Sequence, residues 1–355
     1  MSRIEATWKD CGPEIDAFLV CSRENRVYLS SFTGSTGCLL IDADKRFLLT
    51  DFRYTEQARR ESPLFDIIQC SRIYEEVAKL ALSRGWKRIG FEAQHVSVHE
   101  YLGFLRQYPD LRWVPLTGIV ERKRQLKDNG EIENLGQAAK IAERALSLVL
   151  DWLRPGVSER SFQLALEHAM ENEGAQGVSF PTIVASGPRG SMPHARPTDR
   201  LFAEDDWVTI DFGAVYDGYH SDETVTIPVT KKARSGKLSV IYDIVLKAQK
   251  AGIEALKPGV SASQVDESVR RVIIEAGFGE YFGHGTGHGV GLEVHEAPLL
   301  GPMAPGDMMI EPGMVVTIEP GIYLPEVGGV RLEDMLLVTK EGCTPLTSWD
   351  KSMTR

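Results

Sequence analysis

Hydrophobic and polar positions change their pattern near residue 122, and that change divides the chain. Before it, short apolar runs alternate with stretches of helical character. The strand-like runs are Val27–Leu29, Cys38–Asp42, Phe47–Thr50, Phe65–Ile68 and Arg88–Phe91, and the helical stretches are Tyr54–Arg60, Glu75–Leu82 and Glu100–Tyr108. Alternation of this kind predicts an α/β domain with a central sheet covered by helices. The charged segment Glu121–Gly130, ending in Asp-Asn-Gly, marks the boundary, so one domain is expected over 1–122 and a second over 123–355.

Beyond the boundary, Ile132, Leu135, Ala139, Ala142, Leu146, Val149 and Leu153 recur at close to helical spacing, which predicts a long amphipathic helix. Arg154-Pro155-Gly156 stops it, and Ser158 is placed to cap a second helix through Phe162, Leu164, Leu166 and Met170. The same punctuation returns roughly one hundred residues later as Leu256-Lys257-Pro258-Gly259-Val260-Ser261, again between helical stretches, Tyr242–Leu256 and Ser263–Glu275. Downstream of the two copies lie Val208-Thr209-Ile210-Asp211-Phe212-Gly213 and Val316-Thr317-Ile318-Glu319-Pro320-Gly321. The repeated order predicts an internal duplication of helix, helix and hairpin, with two halves about a pseudo-twofold axis.

Each repeated strand carries an acid, and a second acid follows: Asp222 after the first, Glu333 after the second. Tyr216-Asp217-Gly218-Tyr219 holds an Asp-Gly turn signal, which predicts that Asp211 and Asp222 lie across a hairpin from one another. Facing carboxylates repel and raise each other's pKa unless a cation intervenes, so four of them predict a dinuclear metal centre. Arg331, two residues before Glu333 and on the same strand face, is placed to orient these carboxylates. A nitrogen ligand is expected from Phe282–Glu296, where three of the chain's eight histidines, His284, His288 and His295, are interleaved with glycines. The absence of G-K-[ST] and of a G-x-G-x-x-G turn argues against a phosphate loop there. His194 lies in a Pro-rich loop, whereas His95, His99, His168 and His220 are assigned to structure or solvent.

Composition excludes several function classes. The net charge of −10, without any Lys/Arg-rich run, leaves nucleic acid without an electrostatic footprint. The five cysteines are scattered and form no C-x-x-C, which argues against a disulfide framework or thiolate zinc site and fits a reducing compartment. With a polar N-terminus and no run of 18 apolar residues, a cytoplasmic protein with no membrane partner is expected.

The chain resembles the aminopeptidase P and prolidase family of pita-bread metallopeptidases, related to methionine aminopeptidase and creatinase. The resemblance runs through Tyr28-Leu29-Ser30-Ser31-Phe32-Thr33-Gly34-Ser35 and Leu49-Thr50-Asp51-Phe52-Arg53-Tyr54, through Lys127, Glu131 and Ile132, and through I-D-F-G, S-D-E-T, H-G-T-G-H-G-V-G-L, I-E-P-G and R-L-E-D. It implies an α+β two-domain fold, with a creatinase-like α/β domain followed by a pita-bread catalytic domain of duplicated helix-helix-hairpin units. It also implies a metal set of Asp211, Asp222, His288, Glu319 and Glu333, with His194, His284 and His295 on the substrate. His284, His295, Glu319 and Arg331 are the expected catalytic residues, and Glu319 also handles the proton.

The implied cofactor is a pair of divalent ions. Four oxygen donors to one imidazole favour Mn²⁺ on softness grounds, with Co²⁺ or Zn²⁺ as alternatives. The implied reaction is hydrolysis of the Xaa-Pro bond of a proline-containing peptide by a hydroxide shared between the two ions, in a homodimer. Two departures matter: Val225 stands where the family often has Arg in D-x-T-R-T, and no Lys or Arg lies between His295 and Arg331. A dipeptide's free carboxylate then lacks its bidentate partner, so the expectation leans toward aminopeptidase P-like cleavage of longer peptides, with prolidase as the alternative. A metal-free creatinase-like hydrolase and a catalytically silent peptide-binding scaffold are the competing readings, and the complete ligand set argues against both.

Overall fold

The computed structural model describes residues 2–234, 236–304 and 308–351, and the chain forms two compact units, Met1–Arg124 and Gln125–Arg355. Among the described residues no helix is long and apolar enough to cross a membrane.

The first unit is built on a six-stranded mixed sheet. In spatial order its strands are Asp66–Gln69, Arg46–Thr50, Cys38–Ile41, Ala17–Val20, Arg88–Glu92 and Arg112–Leu116. Helices Ile73–Arg84 and Val98–Gln107 pack Val77, Ala81 and Phe104 against it. The helix Arg23–Ser30 replaces the strand expected at Val27–Leu29. Ser22 caps it by accepting from the Asn25 amide, and Tyr28 and Leu29 form its buried face. A local cap thus outweighs the β preference of three residues. Strand Ala17–Val20 escapes the pattern because it is buried throughout and so shows no alternation. Strand Arg112–Leu116 contains Pro115, which a sheet tolerates because this strand lies at the edge.

The second unit contains the duplication. Helices Asn129–Val149 and Glu159–Asn172 open the first half; Lys237–Ala255 and Ala262–Glu275 open the second. The first of these stops at Val149 and continues as a 3₁₀ turn, Leu150–Trp152, short of the expected Leu153. Ser158 and Ser261 cap their helices as expected, accepting from the Ser161 and Gln264 amides. Matching geometry surrounds the two caps. Gly156 N–H donates to Phe202 O at 3.1 Å and Gly259 N–H to Ile310 O at 3.0 Å, while Ser158 bridges Leu201 and Ser261 bridges Met309. Each half has its own core, one centred on Leu146, Phe162, Val208 and Phe212, the other on Val245, Val269, Val316 and Ile318.

The hairpins hang from these cores. Strand Trp207–Phe212 pairs antiparallel with Glu223–Pro228, Asp211 opposite Thr224. The chain turns at Asp217 and Gly218, whose φ values of 47° and 77° match a two-residue type I′ turn. Gly213 is required where the strands close up, because a Cβ there would lie 1.9 Å from Ser221 O. In the second half, Val315–Ile318 pairs with Asp334–Val338 and Gly321–Leu324 with Gly328–Arg331.

Candidate metal centre

The two hairpins are stitched together by threonines on one face of strand Glu223–Pro228. Glu333 N–H donates to Thr224 O at 3.0 Å, and the Thr224 hydroxyl donates to Glu333 Oε2 at 2.7 Å. One step along the same face, the Thr226 hydroxyl donates to Arg331 O at 2.9 Å. This stitching brings the acids of both repeats to one place. Glu319 and Glu333 face each other in the gap between the Ile318–Asp334 and Gly321–Arg331 pairs. Asp211 and Asp222 differ from the sequence expectation. Thr224, not Asp222, sits opposite Asp211, so the two acids share a face but lie diagonally, one pleat apart.

His288 enters on strand Gly287–Gly289. Gly287 permits the approach, since a Cβ there would stand 2.0 Å from Thr317 O. His288 Nδ1 lies 3.0 Å from Gly289 O. A carbonyl only accepts, so Nδ1 carries the proton and Nε2 carries a lone pair. That lone pair points toward Asp222 Oδ2 and Glu319 Oε1, both at 3.5 Å. Burial lowers the His288 pKa to about 4, so the ring is neutral and gives these oxygens no proton.

The carboxylates are under the same strain. Burial first, then the neighbouring acids, raise the carboxyls of Asp222 and Glu333 well above the ordinary range, and burial raises Glu319 to about 7. The charge of Arg331 opposes that rise at all three, but it donates directly to Asp211, at Oδ2, 2.6 Å away. Asp211 Oδ1 and Glu333 Oε1 are buried without a hydrogen-bond partner. A lone-pair nitrogen among carboxylate oxygens, two of them buried and unpaired, fits a cation. Asp222, His288 and Glu333 bring one ligand atom each within 4.8 Å of one another, with Glu319 beside His288 and Asp211 beside Arg331.

All of these side chains line one cleft of ≈ 780 Å³ that also exposes His194, His284 and His295. A helix from each repeat holds the loop that carries a cleft histidine. Glu159 accepts from the Ser186 and Thr198 amides at 2.9 and 3.0 Å, bracketing His194. Arg270, paired with Asp266, donates to Phe282 O and His284 O at 3.0 and 2.8 Å. The His295 ring lies 4.3 Å from that of His288.

Tyr323 was not singled out by its sequence context, yet it links Arg331 to His284. Arg331 donates to its hydroxyl at 3.0 Å, and His284 Nε2 lies 2.9 Å from the same oxygen. Gly321 and Tyr323 share one face of strand Gly321–Leu324, and Glu319, two residues before it, continues the spacing, the signal that would have found it. A Cβ on Gly321 would meet the Tyr323 hydroxyl at 2.4 Å. Arg160 and Arg196 also line the cleft; they come from loop and helix-start positions that no strand pattern marks.

His284 supports a prediction about acid stability. Its Nδ1 faces Gly285 O at 2.8 Å, so Nε2 accepts from Tyr323. Burial first, then the charge of Arg331, lowers its pKa to about 4. The unfolded chain, with its histidine near ~6.5, takes up the proton first, so stability falls as pH drops from ~6.5 toward 4, by about 3 kcal/mol. Denaturant midpoints measured across that range are expected to fall more steeply for the parent than for His284→Gln. Equal slopes would refute the assignment.

A second acid-histidine group, Glu92, His95 and Glu121, sits in the first unit, but Glu92 is consumed by the Cys21 and Ser22 amides and by Asn25. Residues 133–340 match the model of metallopeptidase family M24, and residues 3–126 match the creatinase/prolidase N-terminal domain. The Xaa-Pro dipeptidase of Pyrococcus horikoshii is 35% identical, covering 96% of this chain and 94% of its own length. A solved Xaa-Pro dipeptidase from Bacillus anthracis superposes with a TM-score of 0.93 at 41% identity, covering 99% of this chain and 97% of that one. An X-Pro aminopeptidase from Thermotoga maritima superposes with a TM-score of 0.90 at 36% identity, covering 99% of both chains. Two linked hairpins that gather four acids and a neutral imidazole, matched from end to end by these relatives, make this chain a member of metallopeptidase family M24, a creatinase-type N-terminal domain followed by a pita-bread catalytic domain.

Proposed function

We propose that this enzyme hydrolyses the Xaa-Pro bond at the N-terminus of peptides, with Asp211, Asp222, His288, Glu319 and Glu333 holding two divalent cations. The observation that carries the proposal is His288 Nε2, a lone-pair nitrogen, standing 3.5 Å from a carboxylate oxygen of each of Asp222 and Glu319. When bound, the cations would supply the charge that polarises the scissile carbonyl and acidifies the attacking water to ~7. The protein's own residues do the rest. Glu319, on the cleft wall beside His288, takes the proton of the water and passes it toward the proline nitrogen. Arg331 holds Asp211 in place and, through Tyr323, fixes the His284 ring. His194 and His295 stand on the cleft wall where a developing oxyanion needs donors. Phe180, Pro181 and Leu299 offer an apolar wall to a proline ring. Mn²⁺ as the physiological ion, a homodimer and a cytoplasmic setting belong to the same proposal. Metal analysis and light scattering of the purified protein check the first two, and cell fractionation the third.

Substrate length has two readings. The lack of Lys or Arg between His295 and Arg331 favours longer peptides. Arg160 and Arg196 on the cleft wall favour dipeptides, because either can meet a free carboxylate. Steady-state kinetics on Xaa-Pro, Xaa-Pro-Xaa and longer peptides separate them. If Arg196 anchors the carboxylate, Arg196→Ala raises KM for the dipeptide about tenfold or more, the worth of one charge-assisted bond, and barely changes that for longer peptides. An equal effect on all three lengths would return the assignment to an aminopeptidase.

A further inference from the structure

We propose that Cys21 and Cys38 form a reversible oxidation site in the N-terminal unit, closing to an intramolecular disulfide when they meet a low-molecular-weight disulfide. The argument begins with strand register. Strands Ala17–Val20 and Cys38–Ile41 pair antiparallel, with Phe18 opposite Ile41, Leu19 opposite Leu40 and Val20 opposite Leu39. Continued by one residue, that register sets Cys21 opposite Cys38. Residues directly opposite in such a ladder have Cα atoms about 4.5–5.5 Å apart, inside the range of about 4.4–6.8 Å that disulfides span. The side chains already converge, with the two Sγ atoms 3.0 Å apart.

The surroundings admit a reagent. Both cysteines line a cavity of ≈ 350 Å³, together with Ser22, Arg26, Tyr74 and His95. Cys38 is buried and Cys21 is partly open, so Cys21 is the thiol that reacts first. Beside them lies a buried cation held by backbone carbonyls. Arg26 is 2% exposed, donates to Gly37 O at 2.6 Å and Gly34 O at 2.5 Å, and leaves its Nε unpaired. Contact with Cys38, then burial, keeps the Cys21 thiol protonated at rest. The site therefore responds to sustained oxidation and not to a brief pulse. Other cysteines are engaged differently: Cys11 and Cys343 donate to Thr7 O and Ile253 O.

The chemistry balances as thiol–disulfide exchange. Cys21 loses its proton and attacks one sulfur of the small disulfide, expelling one small thiolate. Cys38 then loses its proton and attacks the Cys21 sulfur of the mixed disulfide, expelling the second. Two electrons pass from the pair to the reagent, and the two cysteine protons end on the two small thiols released. In a reducing cell such a pair is expected to be transient and regulatory, not structural.

The test uses the full-length protein held in glutathione disulfide, then alkylated under denaturing conditions and mapped by mass spectrometry. The expected result is loss of two of the five alkylatable thiols, a single peptide pair joining Cys21 to Cys38, and full recovery with dithiothreitol. Cys38→Ser, treated alike, is expected to stop at a glutathione adduct on Cys21, and Cys70→Ser to behave as the parent. Five alkylated thiols after oxidation, a link through Cys70, or a lasting glutathione adduct on the parent's Cys21 would each overturn the proposal. The parent's peptide map decides the matter even if a variant fails to fold.

Discussion

Exhaustive chelation is expected to abolish Xaa-Pro hydrolysis, by a factor of at least ~10³, and Mn²⁺ or Co²⁺ to restore it. The size of the effect follows from what the cleft would have to do alone: without a cation's charge, no residue in it polarises a carbonyl at comparable strength. Stability gives an independent readout. Asp222 and Glu333 are raised well above the ordinary carboxyl range and Glu319 to about 7. For an acid whose folded pKa lies above its unfolded value, the unfolded chain ionises first, so stability is lost as pH rises between the two. Chelated protein is therefore expected to melt at a lower temperature at pH 8 than at pH 5.5, and added ion to reverse the loss. At a hundred times its Kd, one ion contributes about 2.7 kcal/mol. Activity that survives metal removal, verified by elemental analysis, would sink the dinuclear reading. Restored melting without any hydrolysis would instead favour a peptide-binding scaffold.

The acids were legible in the chain because they are repeated: V-T-I-acid-x-Gly occurs twice behind matching Pro-Gly-Val-Ser punctuation, and repetition separates a site from chance. Their mutual geometry was less so. Asp211 and Asp222 look symmetric about the turn, but the bend falls at Asp217–Gly218, one position off their midpoint, and a shift of one position in the turn offsets the pair by a whole pleat. Thr224, Thr226 and Tyr323 went unnoticed for a related reason. Their roles depend on period-two faces meeting across a hairpin boundary, a relation between distant strands that no local motif carries. Arg160 and Arg196 reach the cleft through tertiary folding alone. At Arg23–Ser30 the local signals conflict: Ser22 caps a helix, whereas Val27 and its neighbours favour a strand. Cys21 and Cys38 read as scattered until strand register set them side by side.

Glu319→Gln is expected to lower kcat by about 10²–10⁴ while leaving bound metal largely in place. The amide keeps the shape of the side chain and one oxygen donor, so the set Asp211, Asp222, His288 and Glu333 still holds its ions. What it loses is the ability to accept a proton, and a positioned general base supplies about that range of rate. The location supports the assignment: Glu319 Oε1 stands 3.5 Å from His288 Nε2, its backbone amide is anchored to Thr286 O at 2.7 Å, and it lines the same cleft as Tyr323. A loss of ligand charge alone would behave differently, because it would appear as weaker metal binding that excess ion corrects. The discriminating measurement is therefore kcat at saturating Mn²⁺ with metal content determined on the same sample. A variant carrying the parent's metal content and turning over within tenfold of its rate would remove Glu319 from proton transfer and leave it a ligand only. A variant rescued by excess ion would place the whole deficit in binding.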